Sequence, residues 1–190
     1  MEVERLILPF LGRRNYLHGT TLFDALLPLA PADGEIVFKF AQMIRSNCVG
    51  VNTEAGDASF SWKSGNSGSA TLHISPLAPA EPLERRAYPE KLIAEQAVVE
   101  GKSARYRAES PFSLVATLIP LHKALLAANV APSAPGQWVF TRLDLRRRSA
   151  SFESVELRLA GVFQEQLARS TVVIEGQESG TIYFSWLPTP

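Results

Sequence analysis

Residues 20–40 read TTLFDALLPLAPADGEIVFKF. Three leucines recur there at helical spacing and predict a helix over residues 20–29: Leu22, Leu26 and Leu29. An Asp33-Gly34 turn separates this helix from residues 35–45, which are rich in β-forming side chains and predict a strand with one largely buried face. The first unit of structure is therefore a helix followed directly by a long strand.

The ends of this helix have recognisable signals. Thr20 or Thr21 can cap its N-terminus, and Asp24 in the first turn would complement the helix dipole. Pro28 and Pro31 limit how far the helix runs. An apolar segment and a polar loop precede the helix, so this part of the chain reads strand, loop, helix, strand.

The same order appears again further along. Residues 113–129 carry leucines on one helical face, and Pro120 is expected to kink this longer helix. Alternating segments that predict strands follow each helix. They are residues 49–53, 58–63 and 69–74 after the first, and residues 137–147, 152–163, 167–175 and 180–187 after the second.

Short sequence matches between corresponding elements of the two halves predict an internal duplication. Ala25-Leu26-Leu27 returns as Ala124-Leu125-Leu126, and Val37-Phe38 returns as Val139-Phe140. A helix followed by a meander is also a common order, and matches this short arise by chance. Residues 76–89 are rich in proline and alanine, so we predict two units, residues 1–75 and 90–190, joined by this linker.

Composition excludes several classes of function. The 19 basic and 19 acidic side chains cancel, which leaves no electrostatic footprint for nucleic acid. Cys48 is the only cysteine, which excludes an internal disulfide and a cysteine-clustered metal site. No apolar run approaches the roughly 18 to 20 residues that span a bilayer, and the acidic N-terminus is no targeting leader. We expect a soluble, cytoplasmic protein with no metal, no cofactor and no insertion into membranes.

The order strand, helix, long meander resembles the hotdog fold, and two such units in one chain resemble the double hotdogs. The resemblance implies an α+β protein of two hotdog-like units, each a central helix wrapped by a curved antiparallel sheet. It also implies acyl-thioester chemistry, by dehydratases or thioesterases, with the acyl chain bound between two units. Dehydratases of this kind have a histidine ahead of the helix and a carboxylate from the other unit.

His18 stands where the resemblance requires that histidine, in the segment Asn15-Tyr16-Leu17-His18-Gly19. A histidine at a loop-to-helix junction can titrate near neutrality, and Gly19 allows a substrate to approach backbone N–H groups. Asp24 could orient His18 or act as the carboxylate, although the role of a dipole partner is the alternative. The matched place in the second half is Thr117.

The second unit offers Asp144 and His122 as partners of His18. Asp144 alternates with Leu143 and Leu145, so the solvated face of a strand is its alternative position. Substrate-binding residues are expected at Gly19 and along an apolar slot between the two helices, walled by Phe23, Leu26, Leu118 and Leu121.

Two classes of function follow from these residues. One is an enzyme, a dehydratase or a thioesterase, that acts on acyl chains carried on CoA or on acyl carrier protein. The other is a non-catalytic acyl-binding or assembly module of a biosynthetic complex, since no matched pair of histidine and carboxylate is evident. Self-association into a homo-oligomer is compatible with either class.

Overall fold

The computed structural model describes residues 4–52, 54–107, 112–148 and 151–188. It is an α+β protein in which most strands form one large antiparallel sheet. The helices are α1 (Gly19–Leu26), α2 (Glu90–Gln96) and α3 (Leu114–Asn129), and a short 3-10 helix, Leu27–Leu29, continues α1. The strands are β1 (Glu4–Ile7), β2 (Phe10–Leu11), β3 (Glu35–Phe40), β4 (Cys48–Asn52), β5 (Ala58–Ser64), β6 (Gly68–Pro76), β7 (Arg85–Arg86), β8 (Val98–Glu100), β9 (Ser103–Arg107), β10 (Gly136–Leu145), β11 (Ser154–Phe163), β12 (Leu167–Ile174) and β13 (Gln177–Pro188).

The sheet has eleven described strands in the order β1-β4-β6-β5-β3-β10-β13-β12-β11-β9-β8. Strands from the first half of the chain therefore occupy one end, and strands from the second half occupy the other. They meet where residues 36–39 of β3 pair with residues 142–145 of β10, and we call this pairing the seam. Both strands at the seam directly follow a helix, and the pairing covers four residues of each strand.

The order of elements along the chain repeats, with a helix followed by four strands in each half, but the two halves differ in the order of those strands within the sheet. In the second half β11, β12 and β13 are neighbours in chain order. In the first half β6 lies between β4 and β5, and Ile74 pairs with a residue on each side. The connection from β4 to β5 crosses β6 at this point, where a Cβ on Gly56 would lie 2.5 Å from the carbonyl oxygen of Ile74. Only glycine fits such a crossing.

One continuous core joins the halves. It contains Leu22, Phe23 and Leu26 of α1 together with most of the inner face of α3, and all are buried. Phe23 makes edge-to-face ring contacts with Phe38 of β3 and Phe60 of β5, which fix α1 against the first-half strands. The alternation of buried and half-exposed residues along β3 supplies the matching face.

The proline-rich linker is mostly irregular, as its composition predicts. Its contacts include a short parallel pairing of β7 with β2 and the side chain of Asn47, which binds the backbone of Ala80. The sequence patterns did not predict α2, β8 or β9, which follow the linker. In the described part of the chain, no helix is both long enough and apolar enough to cross a membrane.

Candidate functional site

His18 is the N-cap of α1, and its ring is only 6% exposed. The expected cap was Thr20 or Thr21. Instead, the backbone N–H of Thr20 points at Nδ1 of His18 over 3.5 Å, and Oγ1 of Thr20 lies 2.8 Å from the same nitrogen. The histidine thus accepts a hydrogen bond from one of the unpaired backbone N–H groups at the helix start. Ser, Thr, Asp or Asn usually makes this bond.

Charged and aromatic side chains surround this histidine. The ring of Tyr88 lies 4.9 Å from the His18 ring, and the Arg14 guanidinium lies 5.3 Å from the Tyr88 ring. The Glu90 carboxylate accepts a hydrogen bond from Arg14 and another, of 2.6 Å, from Nζ of Lys123. The carboxylate of Glu90 from α2 therefore lies between two cations, Lys123 from α3 and Arg14 from the loop before α1.

This environment keeps His18 neutral. Burial lowers its pKa to about 3, and the charges of Arg14 and Lys123 act in the same direction. Burial opposes ionisation of Glu90 too, but its hydrogen bonds and attraction to Lys123 and Arg14 prevail and lower its pKa. At neutral pH the site holds an uncharged imidazole beside an ionised carboxylate between two cations.

His18 and Gly19 border a cavity of about 560 Å³. Its wall is mainly apolar, with Phe40, Met43, Ile119, Trp138, Val139 and Phe140 among the lining residues, and Lys123 is the charged one. Gly19 is required here because a Cβ would lie 2.6 Å from Cδ1 of Phe140. The backbone of Gly19, the first residue of α1, can therefore approach a group bound in the cavity.

Asp24 lies apart from His18, in the second turn of α1, so it is not the first-turn partner of the helix dipole. Its Oδ2 accepts a hydrogen bond of 2.8 Å from Oγ of Ser113, which is the N-cap of α3. Burial raises the pKa of Asp24, and the bond from Ser113 partly offsets this. Both residues line a second cavity of about 560 Å³, which Thr20 and Tyr88 also border.

The structure does not bring Asp144 or His122 to His18. Asp144 accepts a hydrogen bond of 2.7 Å from Nε of Arg142, on the side of β10 opposite to the buried Leu143 and Leu145. It occupies the outer face of a strand, which was its alternative position. His122 is fully buried, and its Nε2 lies 2.8 Å from Oγ of Ser170 on β12. Burial lowers the pKa of His122 to about 3.

The expected slot between the helices is filled with side chains. Phe23, Leu26, Leu118 and Leu121 are at most 1% exposed and belong to the continuous core. None of them lines either cavity in the described part of the chain. The first cavity borders the start of α1 and the middle of α3, and the second borders α1 and the start of α3. Leucines and phenylalanines pack the helix contact itself.

Sequence reasoning missed Arg14, Tyr88, Glu90 and Lys123. Tyr88 and Glu90 fall at the end of the proline-rich segment, where no periodic pattern marks structure. A usable signal was present, since Pro89 followed by Glu90 is typical of a helix start. That signal would have placed an acid at the N-terminus of α2, although not its two cationic partners.

Comparisons with known proteins concern the fold. No known protein family has a sequence profile that matches this chain, and no curated protein matches it by sequence. Among solved structures, it is similar to a bifunctional dehydratase-cyclase domain in ambruticin biosynthesis, with 13% identity, 91% of this chain and 83% of that chain covered, and a TM-score of 0.50. It is also similar to GphF dehydratase 1, with 16% identity, 90% of this chain and 84% of that chain covered, and a TM-score of 0.49. A third similar structure is a protein provisionally named an oleoyl thioesterase from Lactobacillus plantarum, with 12% identity, 99% of this chain and 96% of that chain covered, and a TM-score of 0.47.

At such low identity the first of these likenesses shows the fold alone. The aligned region takes in 91% of the chain. That dehydratase-cyclase domain is a hotdog-fold domain. This chain has the hotdog fold.

Proposed function

We propose that this protein binds an acyl thioester in the His18 cavity and acts on it, either by dehydration of a 3-hydroxyacyl group or by hydrolysis. The supporting observation is that a buried, neutral histidine and the backbone of Gly19, the first residue of α1, border one mainly apolar cavity. Its size lies within the range for small-molecule sites. The carrier is proposed to be CoA or an acyl carrier protein.

An acyl thioester needs apolar surface for its acyl chain and hydrogen-bond donors for its carbonyl group, and different residues of the cavity offer each. Phe40, Ile119 and Phe140 offer apolar surface to an acyl chain. His18, the Gly19 amide and Lys123 offer hydrogen-bond donors to the thioester carbonyl, where negative charge develops during either reaction. Donors held in a site with little water stabilise that charge more strongly than water does.

The same proposal includes a two-unit architecture, with residues 1–75 and 90–190 as hotdog-like units and residues 76–89 as their linker. Each unit supplies one central helix, and each places the first strand after that helix at the seam. The His18 cavity takes lining residues from both units, including Phe40 from one and Phe140 from the other. The different strand orders argue that the units have diverged beyond simple repetition.

The test compares wild type with His18→Asn on a panel of 3-hydroxyacyl and acyl thioesters of pantetheine. Asparagine is a good N-cap, so this variant keeps the start of α1 while it removes the ring. Dehydration is scored by the new double bond and hydrolysis by the free thiol. We expect turnover by wild type and at least about a 100-fold loss in His18→Asn.

His73→Asn is the matched control, because His73 lies on β6 and borders neither described cavity. It should keep wild-type rates. Equal rates in wild type and His18→Asn would exclude the proposed role of His18. The product of the wild-type reaction decides between dehydratase and thioesterase.

A non-catalytic acyl-binding module is the second candidate. It is favoured by one observation: no carboxylate in the described ranges hydrogen-bonds to His18, and the neighbouring Glu90 is held by two cations. This candidate predicts that wild type binds an acyl pantetheine thioether, measured by calorimetry, but turns over no thioester. Turnover of any member of the panel would rule it out.

A further inference from the structure

The two ring nitrogens of His18 have different surroundings. Nδ1 faces two donors of Thr20, the backbone N–H at 3.5 Å and the hydroxyl at 2.8 Å. No described residue hydrogen-bonds to Nε2, and the ring borders the cavity. Nε2 is therefore the polar atom of this side chain that can meet a ligand.

The proton of the neutral ring can be placed by counting donors and acceptors. If Nδ1 is unprotonated, its lone pair accepts the 2.8 Å hydrogen bond from the Thr20 hydroxyl, and the Thr20 amide also points at it. If Nδ1 carries the proton, the Thr20 amide points at another N–H, and no acceptor other than His18 is described for the hydroxyl proton. Since Thr20 is only 2% exposed, leaving its donors unpaired is unfavourable.

We propose that His18 works as a hydrogen-bond donor through Nε2–H, and that Thr20 is the positioning residue which selects this tautomer. The proposal rests on the proposed function only in naming the acceptor, which is the carbonyl oxygen of an acyl thioester. A ring of this kind cannot take a proton at Nε2, because the site is already occupied. His18 thereby stabilises the charge on the carbonyl oxygen and does not remove a proton from the substrate.

The charges around the ring support this role. Arg14 and Lys123 disfavour an imidazolium, and so does the positive end of the α1 dipole, while Glu90 acts in the opposite direction. Glu90 is already neutralised by those two cations. A neutral imidazole at a helix N-terminus is a known way to polarise a carbonyl group.

The first test is nitrogen-15 NMR of the free protein at pH 7, with the His18 signals assigned by their absence in His18→Asn. We expect a pyridine-type signal for Nδ1 and a pyrrole-type signal for Nε2. Thr20→Val removes the hydroxyl and should shift the tautomer ratio towards Nδ1–H, while Thr20→Ser should restore the wild-type signals. A merely structural role of Thr20 would lower stability without moving the tautomer.

Protonated Nδ1 in wild type, or an imidazolium at pH 7, would overturn the proposal. Wild-type signals in Thr20→Val would overturn the role of Thr20. The readout needs no ligand, so it stands even if no thioester is bound or turned over, in which case only the proposed function fails.

The second test compares His18→Gln with His18→Asn. The longer glutamine amide can place an N–H near the position of Nε2–H, but an amide cannot act as a base at neutral pH. A donor role predicts that His18→Gln keeps thioester turnover within about tenfold of wild type, while His18→Asn loses about 100-fold. Equal losses in both variants would overturn the donor role.

Discussion

At the scale of the residue, His18 has two functions that one substitution can confuse. It caps α1 and borders the cavity, so His18→Ala should destabilise the protein by about 1 kcal/mol as well as change the site. A histidine in a loop that does not cap a helix would contribute little to the free energy of unfolding. His18→Asn should recover most of that free energy of unfolding, measured by urea denaturation. Equal stability of His18→Ala and wild type would show that the cap contributes nothing.

Gly19 should tolerate no side chain. The Cβ of Gly19→Ala would meet Phe140, and Phe140 lines the cavity, so a shift of its ring would change the shape of the cavity. We expect a loss of about 1–3 kcal/mol, or a smaller loss together with a cavity too small for an acyl chain. Thermal unfolding and calorimetric binding of an acyl pantetheine thioether measure the two effects. Gly65→Ala is the matched control, since no atom lies within 4 Å of its added Cβ.

The buried histidines make stability depend on pH. The pKa values of His18 and His122 are about 3 in the folded chain, well below the ordinary value of 6.5. The unfolded chain therefore binds more protons between pH 6.5 and 3, so stability is full above pH 6.5 and is lost as pH falls. Each histidine should contribute about 1.4 kcal/mol per pH unit in that window.

Urea denaturation at pH 7, 6 and 5 measures this slope. His122→Gln should reduce the slope of unfolding free energy against pH by the contribution of one histidine, whatever the variant does to stability at pH 7. His73→Gln is the control, because His73 lies half-exposed on β6. An unchanged slope in His122→Gln would contradict the assignment.

At the scale of the element, the N-terminus of α3 depends on Ser113. Its Oγ accepts from the Ala116 amide and donates to Asp24, so one hydroxyl caps α3 and ties it to α1. Ser113→Ala should cost about 1 kcal/mol from the cap, more with the loss of the Asp24 bond, and should raise the pKa of Asp24 further. Ser113→Thr keeps the hydroxyl and should keep both properties. Thermal unfolding and carbon-13 titration of Asp24 are the measurements.

The central elements could be predicted from sequence, but the site only in part. Periodicity located α1, α3 and the long strands, since each buries one face. It could not locate α2, because seven residues with one buried side chain, Ile93, have no period to detect. His18 and Gly19 were found by their position before a helix. Glu90 and Lys123 were missed because their meeting depends on how α2 packs on α3.

At the scale of the whole molecule, the continuous core predicts one cooperative unfolding transition. The core cluster includes buried residues of both halves, and the seam joins their strands. Trp62 lies in the first half, while Trp138 and Trp186 lie in the second. Within the Trp62→Phe variant, and within the double variant Trp138→Phe, Trp186→Phe, the urea transition followed by tryptophan fluorescence should therefore coincide with the one followed by far-UV circular dichroism. Separate midpoints for the two probes in one variant would show that the halves unfold independently.

The strand order shows the limit of sequence reasoning at this scale. Both halves contain a helix and a set of alternating segments, and alternation says which face of a strand is buried. It does not say which strand lies beside which, so the position of β6 between β4 and β5 was not predictable.

The seam also has a consequence for protein synthesis. A ribosome that has just completed β3 must add roughly a hundred more residues before β10 exists, which takes about 5–20 s at ordinary elongation rates. During that time residues 36–39 of the nascent chain have an unpaired edge next to an apolar face. Chaperones that shield exposed β-edges would therefore act on this protein while translation is still under way.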